Sequence, residues 1–136
     1  MKNALEVVNL FYEATNIKRD VKAIAELVAA DMAFVGPVMQ TAGAREYLAL
    51  LEMFLPTHVE TRIRKQFEAG DDVCSIYDLV QRTPTGEQIT VVVADWIRVV
   101  NGKVAEQRIY YDPREFVKAY AAQLGGAAGV LCERAE

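Results

Sequence analysis

The pattern of apolar and polar positions changes its period once along the chain. Up to Pro56, apolar side chains mostly recur three to four positions apart, which is typical of amphipathic helices, and one short apolar run indicates a strand. From Val59 to Tyr111, apolar and polar side chains alternate, which indicates half-buried strands joined by short turns. In chain order, the pattern predicts helices at 3–15, 20–27 and 44–55, a strand at 32–35 before the third helix, strands at 59–69, 73–82, 89–100 and 104–111, and a last helix from Asp112.

A run of helices followed by a run of antiparallel strands is typical of the α+β class. We predict a curved antiparallel sheet, which three to four helices wrap around an apolar pocket. One domain is expected over residues 1–124, followed by a Gly/Ala-rich tail at 125–136. The pocket between the sheet and the helices is where we expect a small molecule to bind.

Composition narrows the function classes. The net charge is −4 and the sequence pI is about 5.1, which argues against a nucleic-acid surface, since such surfaces are basic. No apolar run is long enough to span a membrane, and acidic residues interrupt the apolar pattern near the N-terminus, so we expect neither a span nor a signal peptide. Cys74 and Cys132 are too few for a disulfide framework or a zinc site. We therefore expect a cytoplasmic protein without a metal or another cofactor.

Two aspartates are the main candidates for chemistry. If Thr85-Gly86 forms a two-residue turn, Asp78 lies opposite Val93 in the next strand, and Ile76 lies opposite Asp95. Because side chains alternate between the faces of a sheet, both aspartates are then predicted to point into the pocket. Burial raises the pKa of a carboxyl group, and a like-charged neighbour raises it further, so such a pair suits acid–base catalysis.

Further candidates lie on the first helix and on the predicted pocket walls. Tyr12 is on the apolar face of the first helix and is a candidate hydrogen-bond donor. The predicted ligand-binding residues are apolar: Phe34, Ile76, Val93, Ile97 and Ile109.

Each polar candidate also has a structural interpretation. Asp95 could face solvent or a partner subunit, and Asp78 could form an ion pair with Arg82 or Lys65. Tyr12 could be an ordinary core residue. We expect His58, the single histidine, to be exposed in a loop.

The second half of the chain resembles the C-terminal half of SnoaL-like proteins. These belong to the nuclear-transport-factor-2-like superfamily, together with ketosteroid isomerase and limonene epoxide hydrolase. The resemblance covers residues 1 to about 124 and implies a cone-shaped fold, a cystatin-like roll. The segments that carry it are Pro84-Thr85-Gly86, Val91-Val92-Val93-Ala94-Asp95-Trp96-Ile97-Arg98-Val99, Asn101-Gly102-Lys103-Val104-Ala105-Glu106 and Tyr110-Tyr111-Asp112.

The resemblance also implies roles for individual residues. Asp95 resembles the strand aspartate that is the acid of SnoaL-type cyclases and the protonated oxyanion-hole donor of ketosteroid isomerases. Tyr12 is similar in place to the first-helix tyrosine of the isomerases, whereas Gly36 stands where they have their base. Asp78 resembles one aspartate of the epoxide hydrolase triad, but the other two triad positions hold Ile76 and Ile109.

Two hypotheses follow from this mixed set of residues. The first is a cofactor-free acid–base enzyme, of the isomerase, polyketide cyclase or epoxide-opening type, acting on a small hydrophobic molecule. The second is a non-catalytic ligand-binding or dimerisation module. The resemblance implies a homodimer through the outer face of the sheet, and the apolar outward residues Val92, Ala94 and Trp96 support it. The surface around Trp96 would also suit another protein partner.

Overall fold

The computed structural model describes residues 2–119, so the tail predicted at 125–136 lies outside the described residues. The α-helices within residues 2–119 are α1 (Ala4–Glu13), α2 (Val21–Ala25), α3 (Ala44–Phe54) and α4 (Arg114–Ala119). The strands are β1 (Val28–Val35), β2 (Gln40–Ala42), β3 (His58–Ala69), β4 (Asp72–Arg82), β5 (Gln88–Val100) and β6 (Lys103–Tyr110). A π-helical turn at Ala14–Lys18 extends α1, and a 3-10 turn at Leu55–Thr57 follows α3. No helix within residues 2–119 is long and apolar enough to cross a membrane.

The six strands form one curved, unclosed sheet in the order β2-β1-β6-β5-β4-β3. Strands β3 to β6 form an antiparallel meander, as the alternating pattern predicts. Strand β1 joins the meander through a parallel pairing with β6, and the short strand β2 pairs with β1 at the edge. The predicted α+β class and the wrapped, curved sheet are confirmed, whereas β2 and the parallel pairing were not predicted.

The core lies between the inner face of the sheet and the helices. Helix α1 packs across β4, β5 and β6, and α3 packs against β1 and β2. Asn3 caps α1 by accepting from the backbone N–H of Glu6, whose side chain accepts from the Asn3 backbone N–H in return. The largest side chains that are wholly buried in this layer include Val8, Phe11, Ile24, Met32, Val93 and Ile97.

The register of β4 against β5 differs from the prediction because the loop between them has three residues. Thr83 lies opposite Glu87, and its N–H donates to the Glu87 carbonyl at 2.7 Å. Pro84 and Thr85 form a turn that the N–H of Gly86 closes onto the Thr83 carbonyl at 2.9 Å, with Gly86 at φ +92°.

This loop length shifts the pairing by one residue. Asp78 lies opposite Val92 rather than Val93, and Asp95 lies opposite Ser75 rather than Ile76. A shift of one residue moves a side chain to the other face of a sheet. The predicted pairing of Asp78 and Asp95 on one face is therefore wrong.

The positive φ of Gly86 predicts that replacing this glycine lowers the stability of the fold. A side chain at position 86 would meet no atom within 4 Å, so the change Gly86→Ala costs only the backbone strain of an L-residue at φ +92°. We expect the free energy of unfolding in urea to fall by about 1 kcal/mol. The exposed neighbour Glu87 supplies the matched change Glu87→Ala, for which we expect a shift below about 0.5 kcal/mol. Equal effects of the two changes would contradict this turn.

Candidate functional site

A cavity of about 160 Å³ lies between the inner face of the sheet and helices α1, α3 and α4. Most of its wall is apolar, and this part includes Phe11, Phe34, Leu51, Leu79, Val91 and Ile109. Polar atoms of Tyr12, Tyr77, Asp95 and Gln107 lie together in one part of the wall. Such a cavity is suited to a small hydrophobic molecule that carries a polar group.

Asp95 is wholly buried and accepts hydrogen bonds from three side chains. Its Oδ2 accepts from the hydroxyl groups of Tyr12 and Tyr77, each at 2.9 Å. The Nε2 of Gln107 donates to Oδ2 at 3.0 Å and to Oδ1 at 3.2 Å. The hydroxyl group of Tyr47 donates in turn to Oε1 of Gln107 at 2.7 Å, which fixes the orientation of the amide. We call these five residues the Asp95 cluster.

The sheet register explains why these side chains meet. Asp95 lies opposite Ser75 on β4 and opposite Ile109 on β6. Tyr77 stands two residues after Ser75 and Gln107 two residues before Ile109, so both are diagonal neighbours of Asp95 on the inner face. Tyr12 reaches the same point from α1, which packs across these three strands, and Tyr47 reaches it from α3.

Burial dominates the electrostatics of the cluster. It raises the pKa of Asp95 to about 6, although the hydrogen bonds from Tyr77, Gln107 and Tyr12 act in the opposite direction. Burial also raises the pKa values of Tyr12, Tyr47 and Tyr77 well above 10, and the negative charge of Asp95 raises them further. The carboxyl group therefore gains or loses a proton near neutral pH, while the three phenols remain protonated hydrogen-bond donors.

Four of the residues predicted from the sequence line the cavity: Tyr12, Phe34, Asp95 and Ile109. Val93 and Ile97 also point to the inner side of the sheet, but they are wholly buried in the core and do not line it. Asp78 and Ile76 lie on the opposite face, because of the three-residue loop.

On that opposite face, Asp78 forms an ion pair with Arg64. The Nε atom of Arg64 donates to Oδ2 of Asp78 at 2.9 Å. This partner lowers the pKa of Asp78, in contrast to Asp95. The structural interpretation of Asp78 as an ion-paired residue fits this geometry, although its partner is Arg64 rather than Arg82 or Lys65.

Sequence reasoning missed Tyr47, Tyr77 and Gln107. The correct loop length would have placed Tyr77 on the inner face with Asp95. Tyr47 depends on how α3 packs, whereas Gln107 faces inward because the β5–β6 register shifts between Arg98 and Val99. The prediction that His58 is exposed is wrong, since it begins β3 and is 3% exposed. Burial, followed by the charge of Arg19, lowers the pKa of His58 to about 4.

Comparison with protein families gives a match over most of the chain. The family described as the SnoaL-like domain matches residues 8–107. The chain belongs to the SnoaL-like family. A comparison with curated protein sequences gives no match.

Solved structures share the fold of this SnoaL-like protein. An NTF2-like protein of unknown function from Cytophaga hutchinsonii is 24% identical with a TM-score of 0.73, over 85% of this chain and 96% of that chain. A protein from a Jannaschia species that is provisionally named a SnoaL-like polyketide cyclase is 16% identical with a TM-score of 0.74. This match covers 88% of this chain and 92% of that chain. A protein with a ketosteroid isomerase-like fold from Catenulispora acidiphila, in complex with trimethylamine, is 19% identical with a TM-score of 0.71. This match covers 84% of this chain and 91% of that chain.

Gly36, which the resemblance to the isomerases matches to their base, lies close to Ile109. A Cβ atom at Gly36 would lie 3.2 Å from Cγ1 of Ile109, closer than an ordinary van der Waals contact. The side chain of Ile109 therefore occupies the space beside Gly36. Within residues 2–119, no group of three or more His, Cys, Asp or Glu side chains is placed to hold a metal ion.

The raised pKa of Asp95 predicts how the stability of this SnoaL-like protein depends on pH. A carboxyl group that binds its proton more tightly in the folded state stabilises the fold below its unfolded pKa of 3.8, and this contribution is lost as pH rises through about 6. We expect the free energy of unfolding of the wild type, relative to Asp95→Asn, to fall by up to about 3 kcal/mol between pH 4 and pH 7.

Urea unfolding of both proteins at several pH values measures this difference. The pKa of His58 is lowered in the folded state, so its contribution rises with pH and opposes that of Asp95 in the wild-type curve. Because both proteins contain His58, the difference between them isolates Asp95. A difference that does not change with pH would contradict the raised pKa.

Proposed function

We propose that this protein binds a small hydrophobic molecule with a carbonyl or phenolic oxygen in the cavity, and that Asp95 exchanges a proton with it. One observation carries the proposal: a buried carboxyl group with a pKa near neutrality lines an apolar cavity between two phenol donors. Titratable groups with strongly shifted pKa values are concentrated at functional sites. The fold shared with the protein named as a polyketide cyclase from the Jannaschia species is consistent with chemistry on such molecules.

The cluster suits proton transfer next to a carbonyl group. The Asp95 carboxylate takes a proton from the carbon beside the carbonyl. The electron pair of that C–H bond forms a C=C bond to the carbonyl carbon, and the π pair of the carbonyl moves to its oxygen to give an enolate. A protonated Asp95 is a weaker acceptor, so the hydroxyl group of Tyr12 or Tyr77 is free to donate to the enolate oxygen. Asp95 then returns the proton to carbon, and the carboxylate is regenerated.

A non-catalytic binding module is the second candidate. Asp95 already accepts hydrogen bonds from three side chains, and these must rearrange before a ligand can replace one of them. The side chain of Ile109 also fills the space beside Gly36, the position that the resemblance matches to the base of the isomerases. Both observations favour binding without turnover.

Deuterium exchange into 2-tetralone, an apolar bicyclic ketone, separates the two candidates. For an enzyme, we expect the wild type in D₂O to accelerate exchange of the protons beside the carbonyl, measured by proton NMR. The change Asp95→Asn removes the base and is expected to slow the catalysed exchange ~100-fold or more. The change Asp71→Asn in an exposed turn removes the same charge outside the cavity and is expected to leave the rate unchanged.

The same experiment also tests the second candidate, a binding module without turnover. If 2-tetralone binds, as shown by shifts of its NMR signals, but exchange is no faster than in buffer, the protein is a binding module. An equal rate of exchange with the wild type and with Asp95→Asn would show that Asp95 is not the base.

We also propose that two copies of the chain associate through the outer face of the sheet. Val92 and Trp96 on β5 are 62% and 42% exposed there, on the same face as Phe67 of β3 and Tyr110 of β6, which are both 54% exposed. Apolar side chains on one continuous face are typical of a protein interface. A cytoplasmic location would be consistent with Cys74, which is a free thiol in the described part of the chain.

The mass in solution tests this association. We expect light scattering after size-exclusion chromatography to give twice the chain mass of 15.1 kDa. The change Val92→Asp introduces a charge into the proposed interface and should give the single-chain mass. The change Ile17→Asp, at a residue that is 77% exposed elsewhere, should leave the dimer intact. A wild type with the single-chain mass at micromolar concentration would contradict the proposal.

A further inference from the structure

The cavity has a second polar wall at a distance from the Asp95 cluster. Its members come from the π-helical turn, β3 and β4, and we call them the Asn16 cluster: Thr15, Asn16, Thr61 and Gln81. Along β4, Gln81 follows Tyr77 by four residues, which is roughly 13 Å of strand. Along the first helix, Asn16 follows Tyr12 by four residues, which is about 6 Å of rise. The apolar side chains of Leu79 and Val91 line the cavity as well.

Hydrogen bonds orient the side chain of Asn16. Its Oδ1 accepts from the Oγ1 hydroxyl of Thr61 at 3.2 Å. The Oγ1 atom of Thr15 also lies 3.2 Å from this Oδ1, but its single proton is shared with the Tyr12 carbonyl at 3.1 Å. Behind Thr61, Nε2 of His58 lies 2.8 Å from the same Oγ1. Since Thr61 donates to Asn16, its oxygen accepts from His58, which places the ring proton on Nε2.

The protonation state of His58 agrees with this direction. Its pKa of about 4 leaves the imidazole neutral at pH 7, with a single N–H to donate. The remaining ring nitrogen, Nδ1, is buried and has no hydrogen-bond partner in the described part of the chain. The donors therefore run in one direction, from His58 through Thr61 to Oδ1 of Asn16.

This chain of hydrogen bonds leaves the amide nitrogen of Asn16 available. Nδ2 has no partner within residues 2–119, and the half-buried side chain lines the cavity. Hydrogen bonds in series polarise one another, so the two N–H groups of Nδ2 are strengthened as donors. The backbone here is a π-helical turn, a structure that is frequent at functional sites. A donor at this position selects a hydrogen-bond acceptor on the ligand.

We infer that the ligand has polar groups at two ends: a carbonyl or phenolic oxygen at Asp95, and a second acceptor oxygen, such as a ketone or ester carbonyl, bound by the Asn16 amide. The apolar body between them would pack on Leu79 and Val91. This inference rests on the proposed function, because it takes the same cavity as the ligand site. It adds a residue that determines specificity and narrows the substrate class to bifunctional apolar molecules.

Two fluorescent probes with one and two polar ends test the inference. 2-Naphthol carries only a hydroxyl group, whereas 6-acetyl-2-naphthol adds a carbonyl oxygen at the opposite end of the same rigid ring. We expect the acetyl compound to bind the wild type about tenfold more tightly, which corresponds to one additional hydrogen bond. Fluorescence titration at pH 7 gives both Kd values.

The change Asn16→Asp isolates the donor. It keeps an oxygen in place of Oδ1 for Thr15 and Thr61 and replaces only the NH₂ group. We expect the advantage of the acetyl compound to disappear, while the Kd of 2-naphthol changes less than about twofold. The change Ile17→Asp places the same charge on the adjacent exposed residue and should preserve the advantage. The change Asn16→Ala, with its folding checked by thermal unfolding, removes the donor without adding charge and should also abolish the advantage.

The outcomes separate this inference from the proposed function. If 2-naphthol binds the wild type but the acetyl group adds no affinity, the inference is wrong and the binding site stands. The inference is equally wrong if the advantage survives in both Asn16 variants. If neither naphthol binds the wild type at millimolar concentration, the proposed ligand site is wrong, and the inference fails with it.

Discussion

The burial of the Asp95 carboxyl group is the constraint on which the rest of the site depends. Removing a carboxylate from water costs several kcal/mol unless it is hydrogen-bonded or protonated, and here both responses are present. Tyr12, Tyr77 and Gln107 donate to it, yet its pKa still rises to about 6, so the donors offset only part of the cost of burial. A carboxyl group in this state is near the point at which it can either accept or give a proton at neutral pH, which is the property that acid–base chemistry requires.

That constraint also connects the site to the fold. The donors to Asp95 come from α1, β4 and β6, so the hydrogen bonds that hold its charge also fix the position of α1 over the sheet. The cavity is formed by the same packing, since Phe11 and Tyr12 of α1 line it together with Val91 of β5. Loss of one donor would therefore have two effects at once: a higher pKa at Asp95 and a looser contact between α1 and the sheet. A conservative change such as Tyr to Phe separates these effects, because it removes the hydroxyl group and keeps the ring.

Much of the fold follows from local rules in the sequence, whereas part of the site depends on one loop. The alternating strands are long enough to be recognised, and Asn101-Gly102 forms the two-residue turn that its residue types favour, with both residues at positive φ. The Pro84–Gly86 loop has three residues, which its composition does not distinguish from two, and that single residue moved Asp78 and Ile76 to the outer face. Tyr47 carries no sequence signal, because its contact with the cluster depends on the angle at which α3 packs. Gln107 faces inward only because the β5–β6 register shifts by one residue between Arg98 and Val99, beyond the Asn101-Gly102 turn that the sequence predicts.

The hydrogen bonds that make burial of Asp95 tolerable also limit what it can do. A base whose oxygens already accept from Tyr12, Tyr77 and Gln107 is less available to a substrate, so chemistry requires a ligand that takes over one of the tyrosine donors as the proton moves. Such an exchange succeeds only if the ligand is held in one orientation, since effective proton transfer demands close approach of the reacting atoms. A contact remote from Asp95 is the physical means of holding it. In this cavity the amide of Asn16 is placed to make that contact, which links recognition at one end to proton transfer at the other.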